Sequence, residues 1–211
     1  MGANAALAAL AALADPANVR QGALPMPPDT AERLTDAVLE SIRQHGYAGT
    51  GMQTLLRDTG VSSSSMYHFF PGGKEELVAA AIRRSGLDAA RRIAGVFDRY
   101  DVTEGITRIF AAAASDMEGH DYTRGCPIGV PATEAASDSA AIREAVSEVF
   151  TAWVDAYASA LRVAGVADVP AVSLGRFIVA SYEGSVTLAR ATRSTQPYDD
   201  AVAIITTQLP T

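Results

Sequence analysis

Apolar residues recur at helical spacing along most of the chain. Leu34, Val38 and Ile42 stand four residues apart, and similar intervals return in the later segments. Apolar positions three and four apart define one face of an α-helix, whereas a half-buried strand alternates apolar with polar residues. No segment has a convincing strand pattern, so the chain is predicted to be all-α. Nine helices are expected, one from about residue 29 to Gly46 and others over 52–59, 62–70, 74–99, 103–118, 127–136, 140–163, 171–192 and 197–209.

The first 28 residues do not share this amphipathic pattern. Residues 2–14 are a low-complexity tract of mainly alanine and leucine, and the stretch after it contains four prolines. A secretory signal peptide would carry a basic side chain before the apolar tract, and this sequence has none there. We therefore expect residues 1–28 to be a frayed helix or a disordered tail with a linker, and folding to begin near Asp29.

Composition narrows the classes of protein that fit. Hydrophobic residues form 48% and charged residues 19% of the 211-residue chain, which excludes wholesale disorder. The single cysteine, Cys126, excludes an internal disulfide and is expected to be a buried, structural residue. The sequence has no catalytic triad, nucleotide-binding loop or metal motif, so we expect no enzyme activity, metal or cofactor. No stretch reaches the roughly 18 apolar residues of a membrane span, so a cytoplasmic location without a membrane partner is expected.

The chain is acidic, with 17 basic and 24 acidic residues and a formal net charge of −7. Proteins that bind nucleic acid usually present a basic surface. The acidic excess is spread along the sequence, so no basic domain is hidden behind the average. Any DNA binding must therefore come from the local placement of a few groups.

A segment in the N-terminal half has the pattern of a helix, a tight turn and a second helix. The turn is expected at Gly60, with Thr50 placed to cap the first helix and Ser62 the second. The apolar residues expected to pack between the two helices are Leu55, Val61, Met66 and Phe70. This arrangement is typical of a helix-turn-helix, whose second helix enters the major groove of DNA. Residues 59–74 contain no carboxylate that would repel a phosphate.

At these residues the chain resembles the TetR family of one-component transcriptional repressors. The family pattern combines a glycine–aromatic pair, a threonine, the turn Gly-Val-Ser, an aromatic–histidine pair and a lysine before the next helix. The matching residues are Gly46, Tyr47, Thr50, Gly60, Val61, Ser62, Tyr67, His68, Phe70, Lys74, Glu75 and Leu77. They lie within residues 30–82. Three further features are similar to the LmrA-like branch of the family, namely Gly49-Thr50-Gly51, Pro71-Gly72-Gly73-Lys74, and Gly125-Cys126-Pro127 with Glu134 downstream.

The resemblance implies a three-helix DNA-binding domain over residues 29–75 and a larger helical domain over 76–211 that binds an effector and forms a dimer. It also implies three groups of DNA contacts. These are Thr50, Gly51 and Gln53 at a helix N-terminus, the serines Ser62, Ser63, Ser64 and Ser65 on the recognition helix, and Tyr67, His68 and Lys74 against the DNA backbone. The alternatives are a core role for Tyr67, a plain polar helix start for the serines and solvated positions for His68 and Lys74. Ser63 and Ser64 stand where the family often has Lys-Gly, so the recognition helix lacks the usual early cation.

Large side chains on the central predicted helices are candidates for the wall of an effector pocket. Pockets in helical domains open between helices and are mostly apolar. The candidates are Phe110, Met117, Trp153, Tyr157, Phe177 and Tyr182. Ordinary core packing is the alternative for each of them. If they do form a pocket, its ligand is expected to be small and largely apolar.

Two apolar stripes near the C-terminus are candidates for a dimer interface. The first contains Phe177, Ile178, Ser181, Ser185 and Leu188, and the second contains Val202, Ile205 and Leu209. The second stripe is wider than a lone surface helix normally carries. The resemblance implies that two such helices from each subunit form a four-helix interface, and helix-turn-helix proteins commonly bind two half-sites as dimers.

Together these features predict a homodimeric, ligand-responsive transcriptional repressor that binds double-stranded operator DNA and leaves it when a small effector binds. The long helix at 74–99 would carry the change between the effector and DNA sites. Two alternatives stay open. One is an all-helical enzyme or small-molecule carrier with a vestigial helix-turn-helix, which the acidic charge favours slightly. The other is a protein-interaction module, which leaves Thr50, Tyr67 and Lys74 unexplained.

Overall fold

The computed structural model describes residues 30–210. Within this range the chain is all-α, with nine helices and no strand, and the predicted fold class is confirmed. The helices are α1 (Thr30–Gly49), α2 (Met52–Thr59), α3 (Ser63–Phe69), α4 (Lys74–Phe97), α5 (Val102–Gly119), α6 (Gly129–Glu134), α7 (Ala140–Val163), α8 (Asp168–Thr192) and α9 (Gln196–Thr206). The tail predicted for residues 1–28 lies outside the described residues.

Helices begin and end where the sequence supplies capping and helix-breaking residues. Gly46 interrupts α1 with a φ of 76°, and Gly60 ends α2 with a φ of 65°, a left-handed conformation that glycine adopts without a steric penalty. Asp101 caps α5, because its Oδ1 accepts the N–H of Glu104 at 2.9 Å. Pro197 stands in the first turn of α9, where its missing N–H costs nothing.

The described residues form two compact units, one of residues 30–85 with 125–148 and the other of residues 86–124 with 149–210. The chain passes from one unit to the other inside α4, between Arg124 and Gly125, and inside α7. The functional domains predicted at 29–75 and 76–211 therefore do not coincide with the compact units, because residues 125–148 pack with the N-terminal helices. The assignment of functions to the domains remains a prediction.

The first unit is built around one face of α1. Leu34, Val38 and Ile42 are fully buried there, as their spacing predicts. Helices α2, α3 and α6 pack against α1. The segment before α6 is attached to α1 through its backbone, since the N–H of Gly125 donates to the carbonyl of Arg43 at 2.9 Å. The unit thus combines helices that are neighbours in the sequence with a segment from much later in the chain.

The second unit contains the larger apolar core, in which α9 packs on α5 and α8. Small residues permit close helix contact at two points. A Cβ on Gly175 would lie 2.9 Å from the backbone oxygen of Val154, and a Cβ on Gly86 would lie 2.3 Å from Cγ1 of Val149. The indole N–H of Trp153 donates to the carbonyl of Gly86 at 2.8 Å, so α4 and α7 are joined by both packing and a hydrogen bond.

None of the helices in residues 30–210 combines the length and apolar character needed to cross a lipid bilayer.

Gly86→Ala is expected to lower the free energy of unfolding by about 1–3 kcal/mol, because the added methyl group overpacks the contact with Val149. Urea denaturation followed by circular dichroism measures this loss. Gly119→Ala is the matched control, since a Cβ on Gly119 meets nothing within 4 Å. An unchanged midpoint for Gly86→Ala would show that α4 and α7 separate at little cost.

Candidate nucleic-acid interface

Helices α2 and α3 form a helix-turn-helix around an apolar contact. The four residues predicted to pack between them are all buried, namely Leu55, Val61, Met66 and Phe70. The turn closes through two backbone hydrogen bonds of 3.2 Å, from Gly60 N–H to the carbonyl of Arg57 and from Val61 N–H to the carbonyl of Leu56. One face of α3 is therefore fixed in the core, and its opposite face is presented to solvent.

The exposed face of α3 carries hydroxyl, aromatic and imidazole groups. Ser63, Ser64, Tyr67 and His68 are exposed, and Tyr67 retains 55% of its accessible surface, so it is not a core residue. Ser65 is half-buried. Phe69 is also exposed and makes an edge contact with His68 at 5.3 Å between ring centroids. Phe69 directly follows the Tyr-His pair and was not among the residues predicted to contact DNA.

Ser62 caps α3, as predicted. Its Oγ accepts the backbone N–H of Ser65 at 3.1 Å and lies 2.9 Å from Oγ of Ser65 and 3.0 Å from Oγ of Ser64. These contacts form a hydroxyl cluster at the N-terminus of the helix. Ser62 thereby stabilises the helix that presents the neighbouring serines.

The prediction that Thr50 caps α2 is wrong. The N-cap residue is Gly51, which supplies no side-chain hydrogen bond, and Thr50 is only 2% exposed. The Thr50 hydroxyl donates to the carbonyl of Gly46 at 2.7 Å and lies 3.0 Å from Oγ of Ser41. Its side chain thus closes the turn after α1 and is not available to a phosphate, whereas Gly51 and Gln53 are exposed at the start of α2.

Lys74, the first residue of α4, is half-buried against the same turn. Its Nζ donates to the carbonyl of Tyr47 at 2.6 Å and lies 4.1 Å from the centroid of the Tyr47 ring. Burial lowers the pKa of Lys74, and the nearby negative charge of Glu134 opposes that shift. An ammonium group has three donors, so the bond to Tyr47 occupies only one of them.

Glu134, at the end of α6, completes this group of residues. Its Oε2 accepts the backbone N–H of Tyr47 at 2.8 Å and that of Ala48 at 3.2 Å. A Cβ on Gly46 would lie 2.9 Å from Oε1 of Glu134, so the missing side chain at Gly46 makes room for the carboxylate. In the sequence Glu134 stands out only as part of the motif shared with one branch of the family, because nothing local links it to a turn more than 80 residues earlier.

In the second unit, four of the six predicted pocket residues are buried, namely Phe110, Met117, Trp153 and Tyr157. Tyr182 is half-buried, and its ring centroid lies 5.6 Å from that of Phe110. Phe177 is 48% exposed, so its assignment to a pocket wall is wrong. The physical reason is helical phase, since neighbouring Ile178 and Val179 turn inward and leave Phe177 on the outer face of α8.

Tyr198 is an aromatic residue that the sequence analysis missed. It is almost fully buried, and its ring centroid lies 6.5 Å from that of Phe110 and 6.4 Å from that of Tyr182. Trp153 joins the same aromatic cluster, 6.5 Å from Tyr182. Tyr157 contacts Phe97 instead, and burial raises its pKa. The spacing of Tyr198, Ile205 and Leu209 is the signal that marks Tyr198 as part of a buried face.

The predicted dimer stripes divide between the core and the surface. Four of their members are buried within the protomer, namely Ile178, Ser185, Ile205 and Leu209, so their assignment as interface residues is wrong. Oγ of Ser185 lies 2.8 Å from the carbonyl oxygen of Ser181 and 3.0 Å from that of Pro197, so its single donor is used within the protomer, where α9 covers this face of α8. Ser181 and Val202 are half-buried, whereas Phe177 and Leu188 are exposed.

Two models of known protein families match the chain. The one described as "Bacterial regulatory proteins, tetR family" matches residues 34–81, which contain α2 and α3. The one described as "Transcriptional regulator LmrA/YxaF-like, C-terminal domain" matches residues 102–203. The first match falls on the helix-turn-helix, and the second begins with α5.

Individual relatives agree with these matches. YxaF, an uncharacterized HTH-type transcriptional regulator of Bacillus subtilis strain 168, is 29% identical over 86% of this chain and 94% of its own. LmrA, an HTH-type transcriptional regulator of the same strain, is 27% identical over 80% of this chain and 90% of its own. A TetR transcriptional regulator from Legionella pneumophila shares the fold, with a TM-score of 0.77 and 19% identity over 89% of this chain and 100% of that one. The chain therefore belongs to the TetR family of DNA-binding transcriptional regulators, with an N-terminal helix-turn-helix and a C-terminal domain of the LmrA/YxaF type.

Proposed function

We propose that the protein is a homodimeric repressor that binds operator DNA in the cytoplasm and is released by a small, largely apolar effector. The observation that carries the proposal is the outer face of α3, which exposes hydroxyl and aromatic groups and no carboxylate. A phosphate-rich surface would meet no like charge along residues 59–74. A bound dimer would occupy promoter DNA and so keep RNA polymerase from it.

The DNA contacts fall into two groups by chemistry. Ser63 and Ser64 face the base edges, where a hydroxyl donates to or accepts from several bases and reads the sequence with little discrimination. Tyr67, His68 and Lys74 contact the DNA backbone. Gly51 and Gln53 add a phosphate contact at the uncapped N-terminus of α2, where free N–H groups favour an anion. Thr50 and Ser62 act from behind this surface by fixing the backbone.

The dimer interface lies on the outer face of α8 and α9. Phe177 and Leu188 of α8 and Ile204 of α9 are large apolar residues that stay exposed in the protomer. Ala180 and Gly184 stand between Phe177 and Leu188 at helical spacing and are also exposed, so a second helix can approach closely. A second copy would bury this face and place two recognition helices on two half-sites.

The effector would meet the aromatic cluster of Phe110, Trp153, Tyr182 and Tyr198. These rings lie in edge-to-face pairs within the second unit. The indole N–H of Trp153 is already bonded to Gly86, so it offers an effector an apolar face rather than a donor. Release from DNA follows if the effector binds the DNA-incompetent conformation more tightly than the competent one.

Selection of duplexes from a random library tests DNA binding without knowledge of the operator. The full-length protein is expected to enrich a sequence with two similar half-sites one or two helical turns apart. Failure to enrich any sequence at low salt would favour the rival interpretation, a helical enzyme or carrier with a vestigial helix-turn-helix. The enriched duplex then serves as the probe for the variants below.

Lys74→Ala is expected to weaken binding to all duplexes alike and to lower the slope of log affinity against log salt by about 0.9, the effect of one lost phosphate contact. Ser64→Ala is the counterpart, because it removes a base-facing hydroxyl and no charge. It is expected to weaken binding with little change in sequence preference, because a serine hydroxyl pairs with several bases, and to leave the slope alone. Fluorescence anisotropy at several salt concentrations measures both. The assignment of the two residues is wrong if Lys74→Ala alters preference without altering the slope.

Leu188→Asp is expected to give a monomer at micromolar concentration, because an unpaired carboxylate in an apolar interface costs several kcal/mol. Val163→Asp is the matched control, since Val163 is 91% exposed and lies outside the proposed interface. Sedimentation velocity reports the mass of each variant, and circular dichroism reports whether it is folded. A Leu188→Asp protein that stays dimeric would place the interface elsewhere. Ile205→Asp is expected to unfold the protomer instead, because Ile205 is fully buried within it.

A further inference from the structure

The backbone of Tyr47 is held from both sides by side chains from later in the sequence. Its N–H donates to Glu134, and its carbonyl accepts a hydrogen bond from Lys74. We infer that Glu134 is a positioning residue for DNA binding, which holds the last turn of α1, after Gly46, so that the start of α2 and Lys74 meet the phosphates together. This inference rests on the proposed DNA-binding function and adds to it a residue outside the helix-turn-helix.

The turn held by Glu134 leads directly into the DNA-facing start of α2. The N–H of Thr50 donates to the carbonyl of Tyr47 at 3.2 Å, and the Thr50 hydroxyl donates to the carbonyl of Gly46. The carbonyl of the next residue, Gly51, accepts the first backbone hydrogen bond of α2, from the N–H of Leu55 at 3.0 Å. A shift of Tyr47 would therefore move the uncapped N–H groups at the start of α2.

The same turn also fixes Lys74. The ammonium group bonds to the Tyr47 carbonyl and stacks on the Tyr47 ring, while the charge of Glu134 supports its protonated form. The two proposed phosphate contacts, at the start of α2 and at the start of α4, are thus joined through one residue. Loss of the Glu134 carboxylate would free both at once.

Glu134 can hold the turn because its own segment is anchored at each end. The N–H of Gly125 donates to the carbonyl of Arg43, as described above. On the other side, the hydroxyl of buried Ser139 donates to Oε2 of Glu75 at 2.6 Å. Helix α6 between these points packs on α1. The carboxylate is therefore presented from a fixed backbone and needs little additional ordering when DNA binds.

An acidic group close to bound DNA would by itself weaken binding, so the direction in which DNA affinity changes when Glu134 is removed separates positioning from repulsion. The carboxylate accepts two N–H donors and lies near one cation, which compensates its charge. The ordering of the turn then outweighs repulsion of the phosphates. Removing Glu134 should reduce affinity, whereas a carboxylate that merely repelled DNA would increase affinity when removed.

Glu134→Ala is expected to weaken binding to the selected duplex about tenfold, the equivalent of one hydrogen bond to a charged group. Glu144→Ala is the matched control, because Glu144 is an exposed glutamate of the same compact unit and its removal changes the net charge equally. The control is expected to change affinity by less than about twofold, as surface charges normally do. Fluorescence anisotropy with the full-length protein measures both.

Two further measurements separate positioning from a general loss of stability. Amide hydrogen exchange should accelerate at Tyr47 and Ala48 in Glu134→Ala, while exchange in the core of α1 stays unchanged. The double variant Glu134→Ala/Lys74→Ala should bind only slightly more weakly than either single variant, because both changes disturb the same contact. If Glu134→Ala melts far below the wild type, Glu134→Gln replaces it, since the amide keeps one acceptor oxygen. Glu134→Gln should then lose less DNA affinity than Glu134→Ala and should also be non-additive with Lys74→Ala.

Unchanged or tighter binding by Glu134→Ala would overturn the inference, and so would full additivity with Lys74→Ala. These results are distinct from failure of the proposed function, in which the wild-type protein enriches no duplex at all.

Discussion

Helix α3 is short and has room to bury only one face, and the DNA surface depends on this constraint. Met66 of α3 is buried, and so are Val61 just before the helix and Phe70 just after it. Once these apolar groups are buried, helical geometry turns Ser64 and Tyr67 outward. The polar surface is thus a consequence of the apolar packing behind it, and Ser62 secures it by capping the helix.

The first compact unit is not formed by the N-terminal helices alone. Residues 125–148 pack with them and supply hydrogen bonds that the local sequence lacks. Glu134 satisfies two backbone donors at the turn after α1, and Ser139 both bonds to Glu75 and stands before α7. These contacts join groups far apart in sequence, so their formation requires closure of a long loop. An N-terminal fragment without residues 125–148 would leave the turn at Tyr47 less ordered.

In the second unit, the apolar residues of α9 could be buried either by a partner subunit or by helices of the same protomer. Helix α9 carries enough apolar residues to suggest a partner subunit, yet Tyr198 and Ile205 face α5 and α8 of the same protomer. The apolar surface that remains exposed is smaller and lies mainly on α8, at Phe177 and Leu188. The proposed interface therefore keeps Phe177 and Leu188 from the stripes that periodicity indicated, adds Ile204, and leaves out the members that are buried within the protomer.

Periodicity and capping residues were sufficient to predict the all-α class, the position of most helices and the helix-turn-helix, because each of these depends on interactions within a few residues. The turn at Gly60 and the cap at Ser62 are such local features. The roles of Thr50 and Glu134 were decided only by tertiary structure. A hydroxyl at Thr50 can cap a helix or bond backwards, and the choice depends on Ser41 and the interrupted end of α1. The partner of Glu134 depends on how a segment 87 residues away packs, which no local pattern encodes.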